Sequence, residues 1–153
     1  MFNAWPCYWG TGGSVTFISR DWRDATVRLG LTVRTRNYVG TIFGGSLYGA
    51  ADPIYMLLLI KILGPGYIVW DRSASIRFKR PGRGRLEARF HLSEDEIAAI
   101  RELTASEKSV DRMYTVEFKD REGLVCASIE KTVYIRRAQA GFEATLPLSS
   151  GTP

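Results

Sequence analysis

The sequence predicts an α+β fold, a curved antiparallel β-sheet wrapped around one long central helix. Two observations predict it. Residues 47–63 are apolar on nearly every side, with Asp52 and Lys61 their only charges, and a helix apolar all round must be buried on all sides. Elsewhere about six segments alternate apolar and polar residues with period two, the mark of strands with one buried face. A sheet of that kind needs a single cover, and the central helix supplies it most economically.

Residues 1–13 form an aromatic, glycine-rich segment with Trp5, Tyr8 and Trp9, read as a short helix or coil packed on the body. It is either a flap over an apolar pocket or a cover for the core. Residues 15–19 and 25–33 read as strands. In the second, Ala25, Val27, Leu29, Leu31 and Val33 share one face. The central helix follows, and Gly64-Pro65-Gly66 stops it. Residues 67–79 form the next strand, with Ile68, Trp70, Ala74, Ile76 and Phe78 on one face and Asp71, Ser73, Ser75, Arg77 and Lys79 on the other. After a turn at 80–84, residues 85–92 place Leu86, Ala88, Phe90 and Leu92 inward. Ser93 and Glu96 have capping-box spacing, so residues 94–104 form a surface helix. The last two strands are 110–119, with Val110, Tyr114, Val116 and Phe118 inward, and 124–137, with Val125, Ala127, Ile129, Val133 and Ile135 inward. Residues 120–123 join them as a hairpin loop. The main domain is therefore 14–137, and the small, polar residues 138–153 are expected to fray.

The chain has 153 residues, enough for one domain with its own core. Apolar content of 45% and charge content of 24% are ordinary for a soluble globular protein. A net charge of +5 and a pI near 9.4 favour anionic partners without implying nucleic acid. The aromatic residues fall mostly on inward faces, which leaves no interleaved stacking platform for bases. Cys7 and Cys126 make no metal or redox spacing. No secretory signal opens the chain, so a cytoplasmic protein is expected. The helix is read as too short and too interrupted to span a bilayer, which takes about 20 apolar residues, so no membrane partner is expected.

Two features of the central helix bear on function. Gly44-Gly45 stands at its start, where the first amides have no internal partner and the macrodipole is positive. That is a site for an anion or a polarised carbonyl. Asp52-Pro53 stands in mid-helix, where proline removes one backbone bond. Asp52 either caps a second half-helix with Pro53 at its first position or serves a function.

The spacing Asn37-x-x-Gly40-Thr41-x-Phe43-Gly44-Gly45, with Asp52 seven residues beyond the second glycine, resembles the signature of hotdog-fold acyl-CoA thioesterases of the phenylacetate and small-thioesterase type. The runs around Gly40–Tyr48, Ala51–Met56, Tyr67–Asp71 and Ile76–Gly82 are similar to an uncharacterised branch of that superfamily. The resemblance covers roughly residues 14–136. It implies thioester hydrolysis, with coenzyme A present only as part of the substrate and no metal or other cofactor. The Gly44 amide would act as oxyanion donor with Asn37 assisting. Asp52 would activate water or attack directly, and either Asp71 or Ser73 would help bind water. Gly45 and Phe43 would lie against the substrate. Relatives carry His where this chain has Phe43, so a side-chain hydrogen bond near the site is missing. The only histidine, His91, falls on a polar strand face and reads as a surface residue.

Gly44 and Asp52 lie eight residues apart, about 12 Å along a helix at ~1.5 Å per residue. One carbonyl cannot touch both, because acid–base groups work at about 3 Å. A shared site therefore requires a homodimer, or a tetramer built from dimers. The basic cluster Arg72, Arg77, Lys79, Arg80, Arg83, Arg85 and Arg89 either holds the phosphates of coenzyme A, through Arg80 and Arg83 above all, or blunts a sheet edge. Tyr48, Tyr55 and Met56 are candidates to line an acyl tunnel. The competing class is a binder that holds an acyl group or lipid without turning it over.

Overall fold

A computed structural model describes residues 2–138. Most of the expected tail, residues 139–153, lies outside the described residues. Six strands form one antiparallel sheet: β1 (Gly13–Ile18), β2 (Asp24–Leu29), β3 (Tyr67–Phe78), β4 (Leu86–His91), β5 (Val110–Lys119) and β6 (Val125–Arg137), in the order β1-β2-β4-β5-β6-β3. Four helices accompany it: α1 (Pro6–Thr11), α2 (Gly44–Ala51), α3 (Ile54–Leu63) and α4 (Glu94–Ser106). The apolar inner face of the sheet closes over α2 and α3, burying Leu29, Leu58, Leu59, Phe90, Phe118 and Ile129. Burial of each such side chain stabilises the fold by about 1.5–3 kcal/mol.

The central helix is two helices, broken at Asp52-Pro53 where the proline has no N–H to donate. Two side chains from elsewhere bond the carbonyls at this break. The Tyr8 hydroxyl of α1 donates to the Ala50 oxygen at 3.0 Å, and the Lys131 ammonium of β6 donates to the Asp52 oxygen. The Tyr8 bond also shows that the N-terminal segment covers α2. Gly49 is small for a steric reason: a Cβ there would lie 2.8 Å from the Thr11 side chain. Together, Gly44–Leu63 span 20 residues, long and apolar enough by length and composition to cross a membrane. The expectation of a segment too short is corrected. In this fold the pair is the core helix of the sheet.

Other expectations are corrected too. β2 stops at Leu29, because Gly30 and Thr35 turn the chain away: the Thr35 hydroxyl donates to the Gly30 oxygen at 2.6 Å and accepts the Thr32 amide at 2.8 Å. Val33 is consequently 97% exposed instead of inward. In β3 the pairing with β6 slips between Asp71 and Ser73. Arg72 is the extra residue of a β-bulge, and it reverses the phase of everything before it. Asp71 and Val69 join the inner face with Ala74, Ile76 and Phe78, while Trp70 turns outward and is 64% exposed. Exposed aromatic residues are also more numerous than the alternation implies, with Trp9, Phe17, Tyr38, Phe43 and Phe78 among them.

On α4, Ser93 caps as expected, its Oγ accepting the Glu96 amide at 3.1 Å. Glu96 does not complete the box. Its carboxylate instead takes the Tyr114 hydroxyl at 2.8 Å and the Arg112 guanidinium at 2.5 Å. Both partners point inward from β5, opposite Lys131 and Val133.

Candidate functional site

The helix start opens on a groove of about 510 Å³ that includes Asn37, Gly44, Phe78, Arg80 and Arg83 in its lining. The loop before it is built by Asn37, whose Oδ1 accepts the Val39 and Thr41 amides at 3.1 and 3.0 Å and whose Nδ2 donates to Thr41 Oγ1 at 2.9 Å. Gly40 takes the left-handed conformation (φ 80°) that lets this tight loop close. Two backbone bonds fasten the loop: the Ile42 amide to the Gly82 oxygen at 2.9 Å and the Phe43 amide to the Thr35 oxygen at 2.7 Å. Helix bonding begins with the amides of Ser46 and Leu47, both donating to the Phe43 oxygen. Among the described residues the amides of Gly44 and Gly45 have no helical partner, and Gly44 lines the groove. Each glycine carries a phenyl ring. A Cβ on Gly44 would lie 2.7 Å from Phe78, and a Cβ on Gly45 would lie 2.3 Å from Phe43.

At the far end of α2 the chemistry is ionic. The Lys131 side chain is fully buried. Its ammonium donates to Asp52 Oδ1 at 2.7 Å and lies 2.9 Å from Asp71 Oδ2, besides bonding the Asp52 backbone oxygen. Three donors meet three acceptors, the full capacity of an ammonium. Asp52 is 38% exposed, so its carboxylate reaches the surface while tied to the core. It makes no cap for α3, whose N-cap position is Pro53 and has no side-chain hydrogen bond. The capping alternative is therefore corrected.

Burial pushes the Asp71 carboxyl above the ordinary carboxylate range, Lys131 pulls it back, and the charge of Asp52 adds to the rise. Asp71 Oδ1 is buried with no hydrogen-bond partner. The Tyr48 hydroxyl, one helical turn before Asp52, is pushed up to about 12 by burial first and by the neighbouring Asp52 second.

The candidate residues thus fall into two groups. Asn37, Gly44, Arg80 and Arg83 meet at the groove, with Gly45 and Phe43 beside them. Asp52 and Asp71 meet at Lys131. Ser73 joins neither group, since it pairs with Thr132 on the outer face. Tyr55 is core, stacked on Tyr114 at 4.6 Å and edge-on to Phe90 at 5.1 Å, and cannot line an open tunnel. His91 is an exposed surface residue paired with Asp24 at 2.7 Å. Among the described residues, no group of three or more His, Cys, Asp or Glu side chains could hold a metal. Lys131 is the residue the sequence reading missed. Its signal was present: it occupies the inward place between Ile129 and Val133, where the alternation calls for an apolar residue.

The chain belongs to the family described as a domain of unknown function, DUF4442, whose model matches residues 1–135. No curated protein matches it significantly. Among solved structures it is similar to a protein of unknown function and probable thioesterase from Pseudomonas aeruginosa, with 16% identity, coverage of 84% of this chain and 85% of that one, and a TM-score of 0.76. A thioesterase from Haemophilus influenzae is 14% identical over 92% of this chain and 90% of its own, with a TM-score of 0.66. A mutant of the phenylacetic acid degradation protein PaaI from Thermus thermophilus is 25% identical over 84% of this chain and 97% of its own, with a TM-score of 0.58. The fold is the hotdog fold, and the unknown-function branch is the one that the sequence resembles.

Proposed function

We propose that this protein hydrolyses acyl thioesters, acyl-CoA esters first among them, at a site shared by the two subunits of a homodimer. The observation that carries the reading is the helix itself. It presents free amides to a basic-rimmed groove at Gly44 and a surface-reaching carboxylate at Asp52. The Gly44 amide stabilises the oxyanion that forms as water adds to the thioester carbonyl, a contribution of about 3 kcal/mol per donor. Asp52, as base, takes the proton of that water, and the C–S bond then breaks to release the thiolate. Asp52 as direct nucleophile gives the same products through an anhydride that water opens. Arg80 and Arg83 hold the phosphates of coenzyme A.

Gly44 and Asp52 are too far apart for one carbonyl, so the reaction takes Gly44 from one subunit and the partner's Asp52. β3 supports that assembly. Among the described residues it pairs only with β6, at the sheet edge, and its open side invites another strand. Opposed residues must face the same side of a continuous sheet. Counting the Arg72 bulge as one place, Phe78 and Asp71 are equidistant from Ser75. A two-fold axis at Ser75 then sets the Phe78 and Gly44 end of one subunit against the Asp71 and Asp52 end of the other. Under mild oxidation, Ser75→Cys should give a disulfide-linked dimer.

The test of function is hydrolysis of a panel of acyl-CoA esters by wild type and Asp52→Asn, with folding checked by thermal melt. Turnover that vanishes in the folded variant supports the enzyme. The exposed rings of Phe43 and Phe78 over the two glycines favour one second reading, a non-catalytic acyl or lipid binder. No turnover by wild type, together with a co-purifying lipid, would establish that instead.

A further inference from the structure

The lysine under the helix break has no part in the reaction as written, yet all three of its donors are committed. Its side chain is completely buried, and it grips Asp52 twice, at the backbone oxygen and at Oδ1. The third direction is taken by Asp71 Oδ2 at 2.9 Å. A carboxylate on a helix surface ordinarily samples several rotamers. A double grip of this kind holds Asp52 in one rotamer with Oδ1 turned inward, while the Tyr48 hydroxyl is its neighbour on the helix side.

We propose that Lys131 is the positioning residue for Asp52: by binding both its backbone oxygen and its carboxylate Oδ1, it fixes the direction in which the second carboxylate oxygen points. Asp71 completes the arrangement by holding the ammonium from the opposite side. The place of Lys131 in the sheet supports this. It lies on β6 opposite Ala74 of β3 and Tyr114 of β5, where small and planar neighbours leave the long side chain a straight path to the helix. A lysine needed only to satisfy the broken helix would require the backbone bond alone. The carboxylate bonds are what a positioning role adds. The inference rests on the proposed hydrolysis for its consequence in catalysis, and not for its geometry.

The test uses the full chain. Three-bond couplings across the Asp52 Cα–Cβ bond, assigned with Asp52→Asn, report its rotamer by NMR without any need for turnover. Wild type should show a single rotamer, and Lys131→Met should show averaging. In the acyl-CoA assay, Lys131→Met should lower kcat on the order of 100-fold, the cost of a misplaced reacting group, with KM changed less than about threefold. Should Lys131→Met fail to fold, Lys131→Gln replaces it, because a neutral amide can donate to the break while holding the carboxylate only loosely. Averaged couplings in wild type overturn the proposal whatever the variants do. So does an unchanged single rotamer in a folded variant. If wild type hydrolyses no thioester, the functional reading fails by itself and the couplings still decide the role of Lys131.

Discussion

At Gly44 the helix begins in uncharged backbone donors beneath two exposed phenyl rings. At Asp52 it breaks over a buried ammonium that has no donor left to offer. The first end is assembled locally, by an asparagine-built loop within ten residues of the helix. The second depends on Lys131, 79 residues away in sequence. One end is left open, and the other is fixed in advance. The contrast shows how, in the proposed hydrolysis, the two ends of α2 would divide the work, an open amide at its start and a preset carboxylate just before the proline that ends it.

The comparison breaks most sharply at the charged end. Asp52→Asn should lower thioester turnover on the order of 1000-fold, within the range for loss of a general base, while the melting temperature stays within a few degrees. Equal turnover in the folded variant would remove Asp52 from the chemistry. At the open end, Gly44→Ala places a methyl 2.7 Å from the Phe78 ring, so the ring must move. Turnover should fall about 10- to 100-fold through displacement of the oxyanion donor. Full activity would mean that the groove does not hold the carbonyl.

Smaller effects sharpen the division. Arg80→Ala with Arg83→Ala should raise KM for acyl-CoA about tenfold and leave a short thioester lacking coenzyme A unchanged. Equal effects on both substrates would dismiss phosphate binding. Glu96→Gln tests whether the polar layer behind Lys131 is structural. The Arg112 guanidinium, more than the Tyr114 hydroxyl, holds the Glu96 carboxyl below its ordinary range. A depressed carboxyl stabilises the fold above its unfolded value, and that contribution is lost as pH falls through the folded value. The variant should therefore lose about 2 kcal/mol at pH 7, seen as a lower melting temperature. The gap from wild type should close in acid below the folded value, with kcat unaffected throughout. A gap that persists in acid would assign the loss to packing.

Sequence reasoning named the residues that the structure brings together at the open end and missed how the charged end is assembled. The paired glycines, the loop asparagine and the arginines around Pro81 are neighbours in sequence or one turn away, and local chemistry names them. The helix break was equally plain, since a proline cannot be hidden. Asp71 was placed on the wrong face because a bulge leaves no mark in composition. The run Trp70–Ala74 alternates as well in either phase, and only the pairing with β6 decides. Lys131 was overlooked because an alternating strand is read for its apolar residues, and an isolated lysine among them passes as noise. Arg112 stands in the same position on β5 and was passed over for the same reason. A charge on an inward place is costly unless paired, so each such residue carries information about a partner elsewhere.

The position of β6 has a consequence for synthesis. It is the last strand of the described residues, yet it lies between β5 and β3 and is the only strand that β3 pairs with. A chain emerging from the ribosome has made both helices and β3 well before it makes β6. During that interval Asp52 and Asp71 lack their counter-charge, and the helices lack the strand that brings Ile129, Val133 and Ile135 to the core. The domain is therefore obliged to wait for β6 before it can finish folding, and a nascent chain stalled before Val125 is a ready client for a chaperone.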